Sequence, residues 1–306
     1  MPIELLDNAP PWPNGARCAV CFTYDLDAES LLHIYHRESA PKRVTASSTL
    51  RYGPQVAIPR LIRLFAHHDI RQTFFVPGWC VETYPDAVKA LADAGHEIAH
   101  HSWLHERPNQ LTPADVRAMM EHASAVCERI LGKRPVGYRA PSGALSPDTH
   151  AILAENGFLY SSSLHSDDVP FLVDTAAGTL LELPTDPALD DWPQYVNMKE
   201  FGFAMPTRAP AHAFDLFREE FDAAWKHGGM WLTIWHPFVS GRLGRVEATA
   251  RLIEHMQDRG GVWFATLEEI ATHLQGLIAA GTWTPRRERV PYWTEPVDHL
   301  VPMHPI

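Results

Sequence analysis

Short apolar runs alternate along this chain with longer stretches in which apolar residues recur every three or four positions. The runs at 19–24, 73–76, 97–100, 136–138, 159–162, 179–183, 230–235 and 262–265 read as strands. The stretches at 56–65, 85–94, 114–131 and 213–226 read as amphipathic helices. Thr112-Pro113 and Ser146-Pro147 have the form of an N-cap followed by proline at the first helical position. Thr266 with Glu269 has the form of a capping box. Gly95, Gly132, Gly157 and Gly260 stand where helices should stop. Strands that alternate with helices predict a mostly parallel sheet with helices outside it. About eight strands suit a (β/α) barrel.

Two segments fall outside this rhythm. Residues 30–54 form a long polar insertion after the first strand, and a loop of that length inside a compact domain usually serves function. Residues 284–306 are rich in Pro, Trp and His and are expected either to wrap the domain or a neighbouring subunit, or to form a partly ordered tail. The expected organisation is a lead at 1–18, one barrel domain at 19–283 carrying the insertion, and this C-terminal tail.

The composition is that of one large soluble domain: 306 residues, 45% of them hydrophobic. A net charge of -11 without a basic block argues against nucleic acid and anionic membrane as partners. No apolar run is long enough to span a bilayer. Residues 1–14 show no basic and apolar signal pattern, so a cytoplasmic location is expected. Cys18 and Cys21 form a Cys-x-x-Cys inside an apolar strand with no second pair, which reads as buried thiols and not as a zinc or redox site.

The chemistry gathers at strand ends. Asp25 and Asp27 close the first strand, where positions i and i+2 share a face. His101 and His105 follow the strand at 97–100, and a turn or short helix there brings i and i+4 together. Two imidazoles, one carboxylate ligand and a spare carboxylate base make up a metal-assisted hydrolase. Arg139 closes another strand and can keep a catalytic carboxylate ionised. His236 closes the strand at 230–235 and can protonate a leaving amine. Asp190 or Asp191 can orient that histidine, and Asp167 and Asp168 have the same chemistry available. Each signal is weak alone, since the chain has 18 histidines; their placement at the ends of four strands is the pattern of a barrel enzyme.

His96-Glu97-Ile98-Ala99-His100 spells the zinc-protease motif H-E-x-x-H. The motif needs a helix. This stretch follows a helix stop and reads as a strand, which would set the two histidines roughly 13 Å apart. The longer form of the motif needs Gly and His where Trp103 and Glu106 stand.

In their order these clusters resemble the motifs of the polysaccharide deacetylases, carbohydrate esterase family four. Thr23 to Asp27 matches the family's aspartate pair, His101 to His105 its His-Ser/Thr-x-x-His, and Arg139-Ala140-Pro141 its Arg-x-Pro. Asp190-Asp191-Trp192 and Ile234-Trp235-His236 match its later motifs. The inserted Leu26, the run from His101 to Glu106 and the loop Asp190-Asp191-Trp192-Pro193 make the chain more similar to a subgroup without a secretion signal. That subgroup holds peptidoglycan-deacetylase-like proteins, cyclic imide hydrolases and allantoinase-like enzymes.

The resemblance implies a distorted (β/α) barrel and a divalent metal, usually Zn2+, held by Asp27, His101 and His105. It implies Asp25 as general base with Arg139 as its partner, and His236 as general acid oriented by Asp191 or its neighbour. A backbone N–H near Ser142 would help to stabilise the oxyanion. The expected substrate is a small amide, cyclic imide or ureide, with an N-acetyl sugar such as peptidoglycan as the alternative, and a homo-oligomer is the expected assembly. An inactive barrel that only holds ligand is the rival class, against which the intact set of acid, base and ligands argues.

Overall fold

The computed structural model describes residue 3, residues 5–206 and residues 208–298. Its strands are β1 (Cys18–Cys21), β2 (Tyr24–Asp25), β3 (Thr73–Val76), β4 (Glu97–His100), β5 (Gly137–Tyr138), β6 (Tyr160–Ser161), β7 (Phe171–Thr175), β8 (Gly178–Glu182), β9 (Asn197–Met198), β10 (Phe203–Ala204), β11 (Met230–Leu232), β12 (Val262–Phe264) and β13 (Arg287–Arg289). Eight of them form one sheet in the order β13-β7-β8-β6-β5-β4-β3-β2. A second sheet has the order β11-β1-β12. The two share one bent strand. β1 pairs with β11 and β12 over residues 18–21, and β2 continues it to pair with β3. Bridges from Tyr24 to Trp235 and from Asp190 to Ile234 tie the sheets together. The result is a distorted (β/α) barrel, as expected from the alternation.

The shared strand explains how the interior is built. Cys18, Val20, Phe22 and Tyr24 pack outward into the main core with helix Ile58–His67 and helix Pro210–His227. Ala19 and Cys21 face inward with Phe75, Ala99, Leu181 and Leu232. The Cys-x-x-Cys therefore puts its thiols on opposite faces; both are buried and free, and burial pushes each up to about 12. Helix Leu267–Ala279 opens with the capping box read from Thr266 and Glu269. Its Ile270, Ala271 and Leu274 close the bottom of the barrel together with Trp12 and Trp283.

Helix Pro113–Leu131 starts at its Thr112 cap. The helix expected from Ser146-Pro147 begins later, at Thr149, because Ser146 bonds the Thr149 hydroxyl before the first turn. β7 is missing from the sequence reading. It runs antiparallel to β8, and a hairpin breaks the strand–helix rhythm from which the other strands were read. The insertion at 30–54 is mostly helical and not a loop, with helices Ser30–Tyr35 and Val44–Tyr52. Ala46 and Leu50, one turn apart, are buried while the polar residues between them face out. β13 lays the start of the tail against β7, Tyr292 and Trp293 beyond it are exposed, and residues 299–306 lie outside the described residues.

The H-E-x-x-H stretch is strand β4, as its setting demanded. Glu97 sits inside the barrel and accepts hydrogen bonds from Thr73 Oγ1, Tyr160 Oη and the Glu268 N–H. Gly137 makes room for that layer, because a Cβ there would meet the Tyr160 ring at 2.0 Å. His96 Nδ1 accepts from the Gln72 N–H, and His100 Nε2 bonds the Met120 carbonyl. All three polar residues are committed to structure.

Burial pushes the Glu97 carboxyl up from 4.5 to about 7, against those hydrogen bonds. A carboxyl raised in the folded state favours the fold in its protonated form. That contribution is full below the unfolded value and is lost as pH rises through the folded one. Calorimetric melting should therefore show wild type losing stability relative to Glu97→Gln between about pH 5 and about pH 8, after which the two run parallel. A constant difference across that range would refute the assignment.

Candidate active site

The C-terminal ends of the parallel strands open into one cavity of about 720 Å³. Asp25, Asp27, His101, His105, Arg139, Asp190 and His236 all line it. Asp191 lies behind His236 and is fully buried. Asp167 is elsewhere, paired with Arg286 at 2.6 Å, and Asp168 does not line this cavity either.

Asp25 ends β2 on the inward row begun by Ala19 and Cys21, whereas the next side chain, Leu26, packs into the outer core. Leu26 thereby separates two carboxylates that reach the same cavity. Arg139 Nη1 donates to Asp25 Oδ1 at 2.8 Å and to Thr23 Oγ1 at 2.7 Å. Its Nε and Nη2 donate to the carbonyl and hydroxyl of Ser162, each at 3.1 Å, and its guanidinium lies 4.1 Å from the Phe75 ring centroid. Burial alone would raise Asp25. Arg139, with His101 and His236, outweighs it and holds the carboxyl below its ordinary value.

His101 and His105 flank a turn, not a helix, and both Ser102 and His105 have positive φ. His101 Nδ1 donates to the Arg139 carbonyl at 2.8 Å, which leaves the lone pair on Nε2 facing the cavity. That atom lies 3.5 Å from Asp27 Oδ1, and His105 Nε2 lies 3.8 Å from Asp27 Oδ2. One atom from each of these three residues can be chosen so that all lie within 4.8 Å of one another. Asp27 Oδ1 is buried and has no hydrogen-bond partner among the described residues. Four-coordinate zinc at about 2.1 Å spaces its ligands about 3.4 Å apart, so the spacing fits a metal better than direct hydrogen bonds. Burial pushes Asp27 up to about 8, against the pull of His236, so it needs another positive charge to stay ionised at neutral pH. Burial also pulls His101 down to about 4 and His105 well below its ordinary value, which keeps both rings in the neutral form that ligates metal.

On the other side, His236 Nδ1 bonds Asp191 Oδ1 at 2.7 Å. Asp191 Oδ2 accepts from the His236 backbone N–H at 3.0 Å and from Ser240 Oγ at 2.5 Å. Asp190 lines the cavity beside this pair, but its carboxylate accepts from the Trp192 N–H and makes no hydrogen bond to His236. Burial pulls His236 down, but Asp191 outweighs it and holds the ring up at about 10. Its Nε2 stands 3.6 Å from Asp27 Oδ2, over the same centre. Thr23 stands inside the aspartate motif, where no role was read for it; Ser162 and Ser240 are members of this network outside the motifs. They are bound through partners distant in the chain and carry no local signature.

The sequence model of the family described as Polysaccharide deacetylase matches residues 38–161, a segment that contains His101, His105 and Arg139. A crystal structure from Mycobacterium smegmatis, assigned to the polysaccharide deacetylases, is 37% identical with a TM-score of 0.87, and the match covers 95% of this chain and 98% of that one. The chain belongs to the polysaccharide deacetylase family. The peptidoglycan deacetylase of Helicobacter pylori is 28% identical over 284 residues, covering 82% of this chain and 94% of that protein. An allantoinase structure has the same fold, with a TM-score of 0.78 at 24% identity over 92% of this chain and 96% of that one. As a member of this deacetylase family the chain is a hydrolase of carbon–nitrogen bonds other than peptide bonds. Among the described residues no helix is long and apolar enough to cross a membrane.

Asp191 carries three hydrogen bonds in a fully buried position, so Asp191→Ala should lower unfolding free energy by about 3–5 kcal/mol. Asp190→Ala, which removes one bond to a backbone N–H, should lower it by about 1 kcal/mol. Urea denaturation of both variants checks this, and equal losses would overturn the distinction.

Proposed function

We propose that the protein hydrolyses the C–N bond of a small amide, cyclic imide or ureide, with zinc held by Asp27, His101 and His105. The observation that carries this reading is the convergence of those three ligand atoms in one cavity, between the Asp25–Arg139 pair and the Asp191–His236 pair. Two imidazoles and one carboxylate, with a position left for substrate, match a catalytic zinc site. When bound, the metal supplies Lewis acidity, which polarises the amide carbonyl and lowers the pKa of water.

The chain's own residues do the rest. Arg139 occupies Asp25 Oδ1, which leaves Oδ2, 3.9 Å from His101 Nε2, to take a proton from the attacking water. The water oxygen bonds to the carbonyl carbon, and a backbone N–H near Ser142, a cavity residue with φ 55°, would share the charge that develops on the carbonyl oxygen. His236, held protonated by Asp191, donates from Nε2 to the departing nitrogen as the C–N bond breaks. One water is consumed: an acyclic amide gives an acid and an amine, whereas a cyclic imide or ureide opens to a single product that carries both the new carboxylate and the protonated nitrogen.

A small substrate is preferred because the cavity is roofed. Leu31, Tyr35 and His36 from the insertion meet Glu200 and Phe201 from the far side. His36 Nε2 bonds the Glu200 carbonyl at 2.6 Å, and the Tyr35 and Phe201 rings stand 5.9 Å apart. An open groove for a polymer lacks such a bridge. Four buried free thiols suit a cytoplasmic enzyme. Deacetylation of an N-acetyl sugar is the second reading, favoured by the full-length match to the Helicobacter pylori enzyme.

Elemental analysis of purified protein should find a divalent metal that His101→Ala loses; unchanged content in the variant would break the ligand set. Asp25→Asn should keep the metal while kcat falls about a hundred- to ten-thousand-fold on whichever amide is turned over. A panel of cyclic imides, ureides and N-acetylated sugar oligomers identifies the substrate, and turnover of the sugars alone would sink the small-amide preference.

A further inference from the structure

Arg107 lies two residues beyond His105 and lines the same cavity. It contrasts sharply with the other arginine there. Arg139 spends all three guanidinium nitrogens on Asp25, Thr23 and Ser162. Arg107 has one side-chain hydrogen bond among the described residues, from Nη2 to Tyr35 Oη at 2.7 Å. Its Nε is buried without a hydrogen-bond partner among the described residues. The guanidinium carbon lies 5.3 Å from the Tyr35 ring centroid, so the plane is held from one side by the roof helix Ser30–Tyr35. No carboxylate of the described chain pairs with it. A guanidinium presents five donors in a fixed fork that matches a carboxylate bidentately, and an unpaired buried donor is costly. The fork is positioned by Tyr35 in the cavity, two residues along the chain from His105.

We propose that Arg107 recognises a carboxylate on the substrate, so that the hydrolase acts on small amides or cyclic imides that carry a carboxylate near the scissile bond. This rests on the small-amide reading above and narrows it. Tyr35 acts as a positioning residue, fixing the guanidinium plane through its hydroxyl and its ring. The apolar faces of Trp192, Phe201 and Phe203 line the same cavity and take the carbon skeleton. Lysine in place of Arg107 keeps the charge and loses the fork.

The test is binding of succinate against butyrate, two four-carbon acids that differ in the second carboxylate, measured by calorimetry on the protein as purified. Succinate should bind at least about tenfold more tightly, the preference should vanish in Arg107→Gln, and Arg107→Lys should keep part of it. Metal content should be the same in all three proteins. Equal affinities in wild type, or a succinate preference that survives in Arg107→Gln, would overturn the proposal. A turnover arm compares carboxylated amides with their neutral carboxamide counterparts. Arg107→Gln should raise KM for the carboxylated members about tenfold or more relative to its effect on the neutral members. Wild-type preference for the neutral members would also overturn it. Absence of turnover on every amide and imide would count against the small-amide reading, while the succinate measurement continues to judge Arg107 by itself.

Discussion

Three carboxylates buried at one end of a barrel set the terms for the rest of the structure. Asp25, Asp27 and Asp191 are each at most 4% exposed. A buried charge must be paired, hydrogen-bonded or neutralised, because desolvation disfavours it strongly. Arg139 meets Asp25 and His236 meets Asp191, each within 2.8 Å. Asp27 is left over, and its neighbours His101 and His105 are pushed by burial towards neutrality and cannot serve as its cations. The same arrangement that makes Asp27 costly in isolation supports the proposal that it holds a divalent ion.

Much of this was readable in the chain, for identifiable reasons. A strand buried on both faces appears as a short apolar-rich run, which is why the run at 73–76 coincides with β3; β4 coincides with 97–100 although it carries Glu97 and His100, because it follows the helix stop at Gly95. Chemistry placed directly after such a run inherits its position from the strand, as with Asp25, His101 and Arg139. Where order depends on distant partners the local pattern is silent. The helices at 30–35 and 44–52 take their stability from packing on the barrel, since both are too short to hold alone. Ser162 matters because Arg139, 23 residues away, reaches it, and Arg107 because Tyr35, 72 residues away, does. The choice between Asp190 and Asp191, open in sequence, depends on which carboxylate turns inward, and Asp191 is the one that meets His236.

The roof and the floor of the cavity have different physical characters. The floor is a dense network of charge-assisted hydrogen bonds on strand ends, a rigid setting that suits bond-breaking chemistry. The roof is built from aromatic contacts and one histidine-to-carbonyl bond between segments far apart in sequence. Selectivity in such a design belongs to the roof, and variation there can change the substrate without disturbing the floor.

The bent strand shared by both sheets has a consequence for cohesion. Residues 18–25 are the staple between the three-stranded and eight-stranded sheets, and the carboxylates that face the cavity stand at its upper end. An ion or substrate that grips Asp25 and Asp27 therefore also clamps the seam of the cylinder. Occupancy is thermodynamically linked to closure of the barrel: whatever binds the closed form alone makes the two halves harder to pull apart, in proportion to the logarithm of its concentration.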